Sequence, residues 1–178
     1  MKFTVIASAV VSTLLFATSS VEAHVTAFPS IGVSGAYLET NFRVPHGCDG
    51  ITTDMLIIEI PKGVTFVKPR AVIPWNTTIN TVPLDVPIVT PSGTLNASVV
   101  SVVYSNGLLL DSMYEDFGMQ FMLPVMEGGL YWRVSQCCVN NDWRNWTAVP
   151  DANGKMTGHP APVITVSNAT ILTGDDIA

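Results

Sequence analysis

The chain has 178 residues, of which 48% are hydrophobic and 12% charged, and its 14 acidic and 8 basic side chains give a formal charge of −6. So apolar a composition excludes an intrinsically disordered chain, and the acidic balance excludes a basic nucleic-acid binder. The 13 glycines and 12 prolines follow no collagen period and punctuate β-branched runs along most of the sequence, the pattern of a single all-β domain.

At the N-terminus, Lys2 precedes an apolar stretch from Phe3 to Ala17, a polar run, and Val21-Glu22-Ala23 with a small residue at its end. These are the parts of a secretory signal peptide. A membrane anchor needs about 20 apolar residues, whereas Thr4, Ser8, Ser12 and Thr13 interrupt this stretch. Cleavage after Ala23 leaves residues 24–178 as one domain, large enough to bury a core. The polar ending Thr173-Gly174-Asp175-Asp176-Ile177-Ala178 offers neither a stop-transfer helix nor a hydrophobic tail for lipid exchange. A secreted product with no membrane span is therefore expected.

Strand patterns then follow at Val25 to Phe28, Ala36 to Val44, Thr53 to Ile60 and Thr65 to Lys68, each closed by proline, glycine or both. Further ones run over Asn80 to Val86, Ala97 to Tyr104, Phe117 to Leu123, Leu130 to Gln136, Trp143 to Val149 and Val163 to Val166. Short strands separated by turn signals, with no sustained 3.6-residue apolar period, predict two antiparallel sheets packed face to face. One short helical turn is expected near Leu110 to Glu115. No repeat, low-complexity tract or linker divides the chain.

Sequons in the exported portion begin at Asn76, Asn96, Asn145 and Asn168, and a eukaryotic host would glycosylate some of them. At Asn145 the adjacent Trp146 makes burial the competing reading. The three cysteines are Cys48, Cys137 and Cys138. An oxidising compartment favours one disulfide, and because neighbouring cysteines form a strained ring, Cys48 is expected to pair with either Cys137 or Cys138. Such a bond closes a loop worth roughly 4 kcal/mol in the chain-entropy account.

The chemistry begins at His24, which the expected cut makes the first residue. Its α-amine and ring Nδ1 close a six-membered chelate on one ion once the amine has lost its proton. Cu(II) heads the stability order for nitrogen ligands and prefers a planar arrangement, so it is the ion favoured over tetrahedral zinc.

Several motifs carry a resemblance. Ala23-His24-Val25-Thr26, Gly35-Ala36-Tyr37, Phe42-Arg43-Val44-Pro45-His46-Gly47-Cys48-Asp49-Gly50, Ile60-Pro61-Lys62-Gly63-Val64 and Val67-Lys68-Pro69 resemble the first half of YcnI-like copper-binding domains. Pro74-Trp75, Asp116-Phe117-Gly118-Met119-Gln120, Gln136-Cys137-Cys138 and His159-Pro160-Ala161-Pro162 resemble the rest, in the same order. The resemblance implies a cupredoxin-like or immunoglobulin-like sandwich that holds a single Cu(II) through one histidine, with carboxylate ligands and an aromatic residue beside the metal. Carried over by position, His24 supplies amine and Nδ1, Asp116 the carboxylate, and Trp146 the shielding ring; Cys138 becomes the partner of Cys48. Where many relatives have Pro-x-Glu, this chain reads Pro29-Ser30-Ile31, and isoleucine cannot ligate, so Glu115 or Glu39 is the expected stand-in.

Met113, Met119, Met122 and Met126 do not suggest a soft Cu(I) site, because Met119 and Met122 fall on opposite faces of a strand and core filling accounts for them. The expected function is non-enzymatic: Cu(II) held outside the cell for acquisition, transfer or homeostasis, with a membrane copper transporter or a copper enzyme as partner. Two alternatives stand beside it. A copper monooxygenase acting on polysaccharide would need a second histidine near His24, and only His46 and His159 are available. A metal-free extracellular interaction module would use the sandwich alone. No Gly-x-Ser-x-Gly elbow or His-Glu-x-x-His helix occurs, and both remaining histidines lie in turn-like segments, so no hydrolytic triad is expected.

Overall fold

The computed structural model describes residues 24–90 and 93–168; the expected signal peptide and the polar ending lie outside the described residues. The chain runs through β1 (Thr26–Phe28), β2 (Ile31–Val33), β3 (Tyr37–Val44), β4 (Thr53–Glu59), β5 (Thr65–Pro69) and β6 (Asn76–Thr90). It continues through β7 (Gly93–Leu109), β8 (Glu115–Met122), β9 (Gly128–Tyr131), β10 (Val134–Cys138), β11 (Trp143–Ala148), β12 (His159–Pro160) and β13 (Val163–Ser167). A four-stranded sheet has the order β1-β3-β8-β5, a six-stranded sheet the order β12-β11-β10-β4-β7-β6, and a small third sheet the order β2-β13-β9. The fold is all-β, and the four- and six-stranded sheets face each other as a sandwich.

Alternation explains why these segments become half-buried strands. In β3, Thr40, Phe42 and Val44 are buried while Arg43 points to solvent. In β8, Phe117, Met119 and Phe121 turn inward and Gln120 outward, so Met119 fills the core as expected. Facing them are Leu56 and Ile58 of β4 and Val102 and Tyr104 of β7, each fully buried. Aromatic rings bridge the layers: Trp132 lies 4.9 Å from Phe42 and 4.6 Å from Phe121, and Trp75 meets Phe117 edge-on at 5.0 Å.

The strand expected over Leu130 to Gln136 is two strands. At Trp132 and Arg133 the chain leaves the small sheet for the six-stranded one, and Trp132 N donates to Pro162 O at 2.8 Å while Glu59 N donates to Arg133 O at 2.9 Å. Strands β2 and β12 are too short to show a period of their own, and each joins its sheet through a parallel pairing where only antiparallel ones were expected. No helical turn forms at Leu110 to Glu115; Met113 N donates to Leu110 O at 3.0 Å in a single turn, and β8 begins directly at Glu115. Among the described residues no helix is long and apolar enough to cross a membrane.

Cys48 is bonded to Cys138, with a Cα–Cα separation of 6.2 Å. The bond ties the turn before β4 to the end of β10. Buried Gln136 reinforces the same junction: its Nε2 reaches His46 O at 3.1 Å, Gly47 O at 3.2 Å and the Thr53 hydroxyl. Cys137 is the remaining free thiol, buried, and burial is the main cause that pushes its pKa up, with Asp54 and Asp142 adding to it.

Close approach of backbone and ring fixes one glycine. A Cβ at Gly107 would penetrate the indole of Trp75, so Gly107→Ala is expected to cost about 1–3 kcal/mol through overpacking. Urea denaturation would read this as a lower midpoint at constant slope, and an unchanged midpoint would contradict the packing described.

Candidate metal centre

His24 stands two residues before β1. Its neighbour Val25 is 2% exposed, and Thr26, Ala27 and Phe28 pair with Arg43, Phe42 and Asn41 of β3. The imidazole is exposed, yet its backbone is one residue from a buried anchor. An apolar residue at position 25, just ahead of β1 and in phase with its alternation of buried and exposed residues, is what holds it there.

His159 opens β12, which is only two residues long. It pairs in register with Trp146 of β11, and residues in register share a face of the sheet. Gly158 precedes it with a φ of 95°, a left-handed turn that favours glycine. Beyond it, Ala161 N donates to Ala148 O at 2.8 Å, and Ala161 is buried. Held on both sides, the His159 ring lies with its centroid 6.3 Å from that of His24, at an interplanar angle of 44°. Trp146 is buried, and its indole Nε1 has no hydrogen-bond partner among the described residues.

The third histidine is elsewhere. His46 Nδ1 donates to Gly47 O at 2.8 Å and lies 3.5 Å from Asp111 Oδ1. Sequence reasoning placed His46 and His159 alike in turn-like segments, and the structure separates them. The missed signal was Gly158-His159-Pro160, a turn followed by residues of restricted φ that can fix an imidazole.

The expected carboxylates do not join His24. Both oxygens of Asp116 are taken by Arg43, whose Nε and Nη2 donate at 2.8 and 2.7 Å, and the guanidinium lies 4.3 Å from the centre of the Tyr114 ring. The pairing follows from register, since Arg43 is directly opposite Asp116. Glu115 Oε1 accepts from Asp116 N at 3.1 Å, Glu39 is exposed opposite Gln120 in β3, and Ile31 is exposed in β2. Among the described residues no group of three or more His, Cys, Asp or Glu side chains converges to hold a metal. The two imidazoles that come near each other here are borderline nitrogen donors, which fit Cu(II) better than hard oxygen-seeking ions. Asn76, Asn96, Asn145 and Asn168 are all exposed; at Asn145 strand alternation turns the amide outward and Trp146 inward.

An all-β sandwich with its first strand and its penultimate one meeting at a histidine pair is the class of domain these observations define. Residues 24–166 match the model of the domain of unknown function DUF1775, and the chain belongs to that family, the one in which YcnI-like proteins fall. An uncharacterised protein from Nocardia farcinica with an immunoglobulin-like fold superimposes with a TM-score of 0.63 at 22% identity, over 82% of this chain and 99% of that one. A type I cohesin from Pseudobacteroides cellulosolvens gives a TM-score of 0.38 at 12% identity, over 80% and 90% of the two chains. Among curated proteins none matches the sequence.

Arg43 is the main cause that holds the Asp116 carboxyl below the usual carboxylate range, against a smaller opposing effect of burial. A folded-state pKa below the unfolded one means the contribution is present above the unfolded value and lost as pH falls through the folded one. Asp116→Asn is therefore expected to flatten the acid limb of thermal stability below about pH 5. The effect is small, as for any half-exposed pair. Unfolding midpoints measured across that range would check it, and an acid limb as steep as the wild type's would count against the pairing.

Proposed function

We propose that this protein is a secreted Cu(II)-binding protein in which removal of residues 1–23 exposes His24 as the first residue. The observation that carries the reading is the anchoring of His24: a buried Val25 and the β1–β3 ladder leave its imidazole exposed on a rigid edge. A frayed terminus would lose chelate geometry to chain entropy, and the buried Val25 and the β1–β3 ladder oppose such fraying. The α-amine and Nδ1 would hold the ion, which supplies a cupric centre for carriage rather than for a reaction.

A nitrogen chelate of this kind suits acquisition, transfer or homeostasis of copper, with release to a membrane copper transporter or a copper enzyme. The exposure of the sequon asparagines supports glycosylation in the same secreted setting. A second reading, a copper monooxygenase acting on polysaccharide, is favoured by one observation, the nearness of the His159 ring to His24. It requires in addition that the reduced, copper-loaded protein consume oxygen in a substrate-dependent way.

The test uses the secreted protein made from the full chain. Mass spectrometry is expected to find His24 at its start, and titration should bind one Cu(II) per chain with nitrogen couplings in the electron paramagnetic resonance spectrum. Acetylating the α-amine, or leaving one extra residue ahead of His24, is expected to weaken binding by at least a hundredfold, because the chelate opens. A product beginning elsewhere, or binding indifferent to acetylation, would refute the reading.

A further inference from the structure

We infer that His159 is the second imidazole ligand of this copper site, so that one Cu(II) is held by three nitrogens: the α-amine and Nδ1 of His24 and a ring nitrogen of His159. The inference rests on the copper reading above and concerns how that site is completed.

The argument is one of distance. An imidazole nitrogen binds a first-row divalent ion at about 2.0 Å, which places the ion about 3.2 Å from the ring centroid and two rings on opposite sides of one ion about 6.4 Å apart. Rings bound at neighbouring corners of a square would lie only about 4.5 Å apart. The observed 6.3 Å is the spacing for opposite corners. With the amine in the corner between them, the arrangement fills three positions of the planar geometry that Cu(II) prefers.

Backbone placement makes the pair persistent. His24 is fixed by Val25 and His159 by its pairing with Trp146 and by the Ala161 to Ala148 hydrogen bond. These belong to strands on different sheets, so the spacing is set by the core between them rather than by local chain geometry. The alternative source of a third donor, a carboxylate, is not gathered there, since no cluster of three or more metal-binding side chains forms among the described residues. A third neutral nitrogen in place of a carboxylate would also leave the loaded centre more positive by one charge.

The decisive comparison is between wild type, His159→Ala, His159→Gln and His46→Ala, each secreted from the full chain and shown by circular dichroism to be folded. Wild type is expected to show superhyperfine coupling to three nitrogens. Both His159 variants should show two and bind Cu(II) at least tenfold more weakly, with His46→Ala unchanged. Equal nitrogen counts and affinities in wild type and the His159 variants would overturn the inference while leaving the copper reading intact. Failure of the wild type itself, with His24 at its start, to bind Cu(II) would remove both.

Discussion

Two crossings of the chain between sheets lie side by side, and much of the molecule depends on their being locked together. At Trp132 the chain passes from the small sheet to the six-stranded one, and at Ala161 and Pro162 it passes back. The hydrogen bond from Trp132 N to Pro162 O joins the two crossings, and the Trp132 ring, wedged against Phe42 and Phe121, secures them in the core. Burying so large an aromatic side chain is worth several kcal/mol. His159 lies at the mouth of the second crossing, so its position is a by-product of that packing.

Strand periodicity was readable wherever a segment had one face in the core and was long enough to alternate. Tyr37–Val44 and Trp143–Ala148 are of this kind. The misread stretches had other constraints. Leu130 to Gln136 looks continuous because its alternation survives the change of sheet, and nothing in a period-two pattern says which sheet a residue faces. The polar run that became the outer hairpin strand Asn76–Thr90 has little buried face to announce it, and so its length exceeds the expected Asn80 to Val86 at both ends. At Leu110 to Glu115 the residues suited a helical turn, yet pairing of Glu115 with Val44 starts a strand at once.

The candidate site was legible in part, for a chemical reason. The value of His24 comes from its place beside an expected cut, a matter of linear sequence. Asp116 and Glu115 are adjacent in sequence to aromatic core residues, but what decides their role is the cross-strand neighbour. Arg43 stands opposite Asp116, and a guanidinium with matching geometry takes both carboxylate oxygens. His159 is 135 residues from His24 in the sequence, by subtraction of their positions, and only the folded sheets bring the rings near. Long-range coincidence of this sort is invisible to motif spacing. The disulfide from Cys48 to Cys138 was reachable only through the resemblance, since Cys137 alternates with it in the same strand.

The hairpin of β6 and β7 has a consequence for self-association. Strand β6 forms the free margin of the six-stranded sheet, and a long margin of that kind would ordinarily template cross-β stacking by neighbouring chains. Pro83 and Pro87 carry no N–H to offer, and the ladder slips register between Pro83 and Ile88. A fibril seeded at this border would meet two missing donors and a break in register within one strand length. The sheet thereby carries, at its own margin, a safeguard against amyloid-like growth.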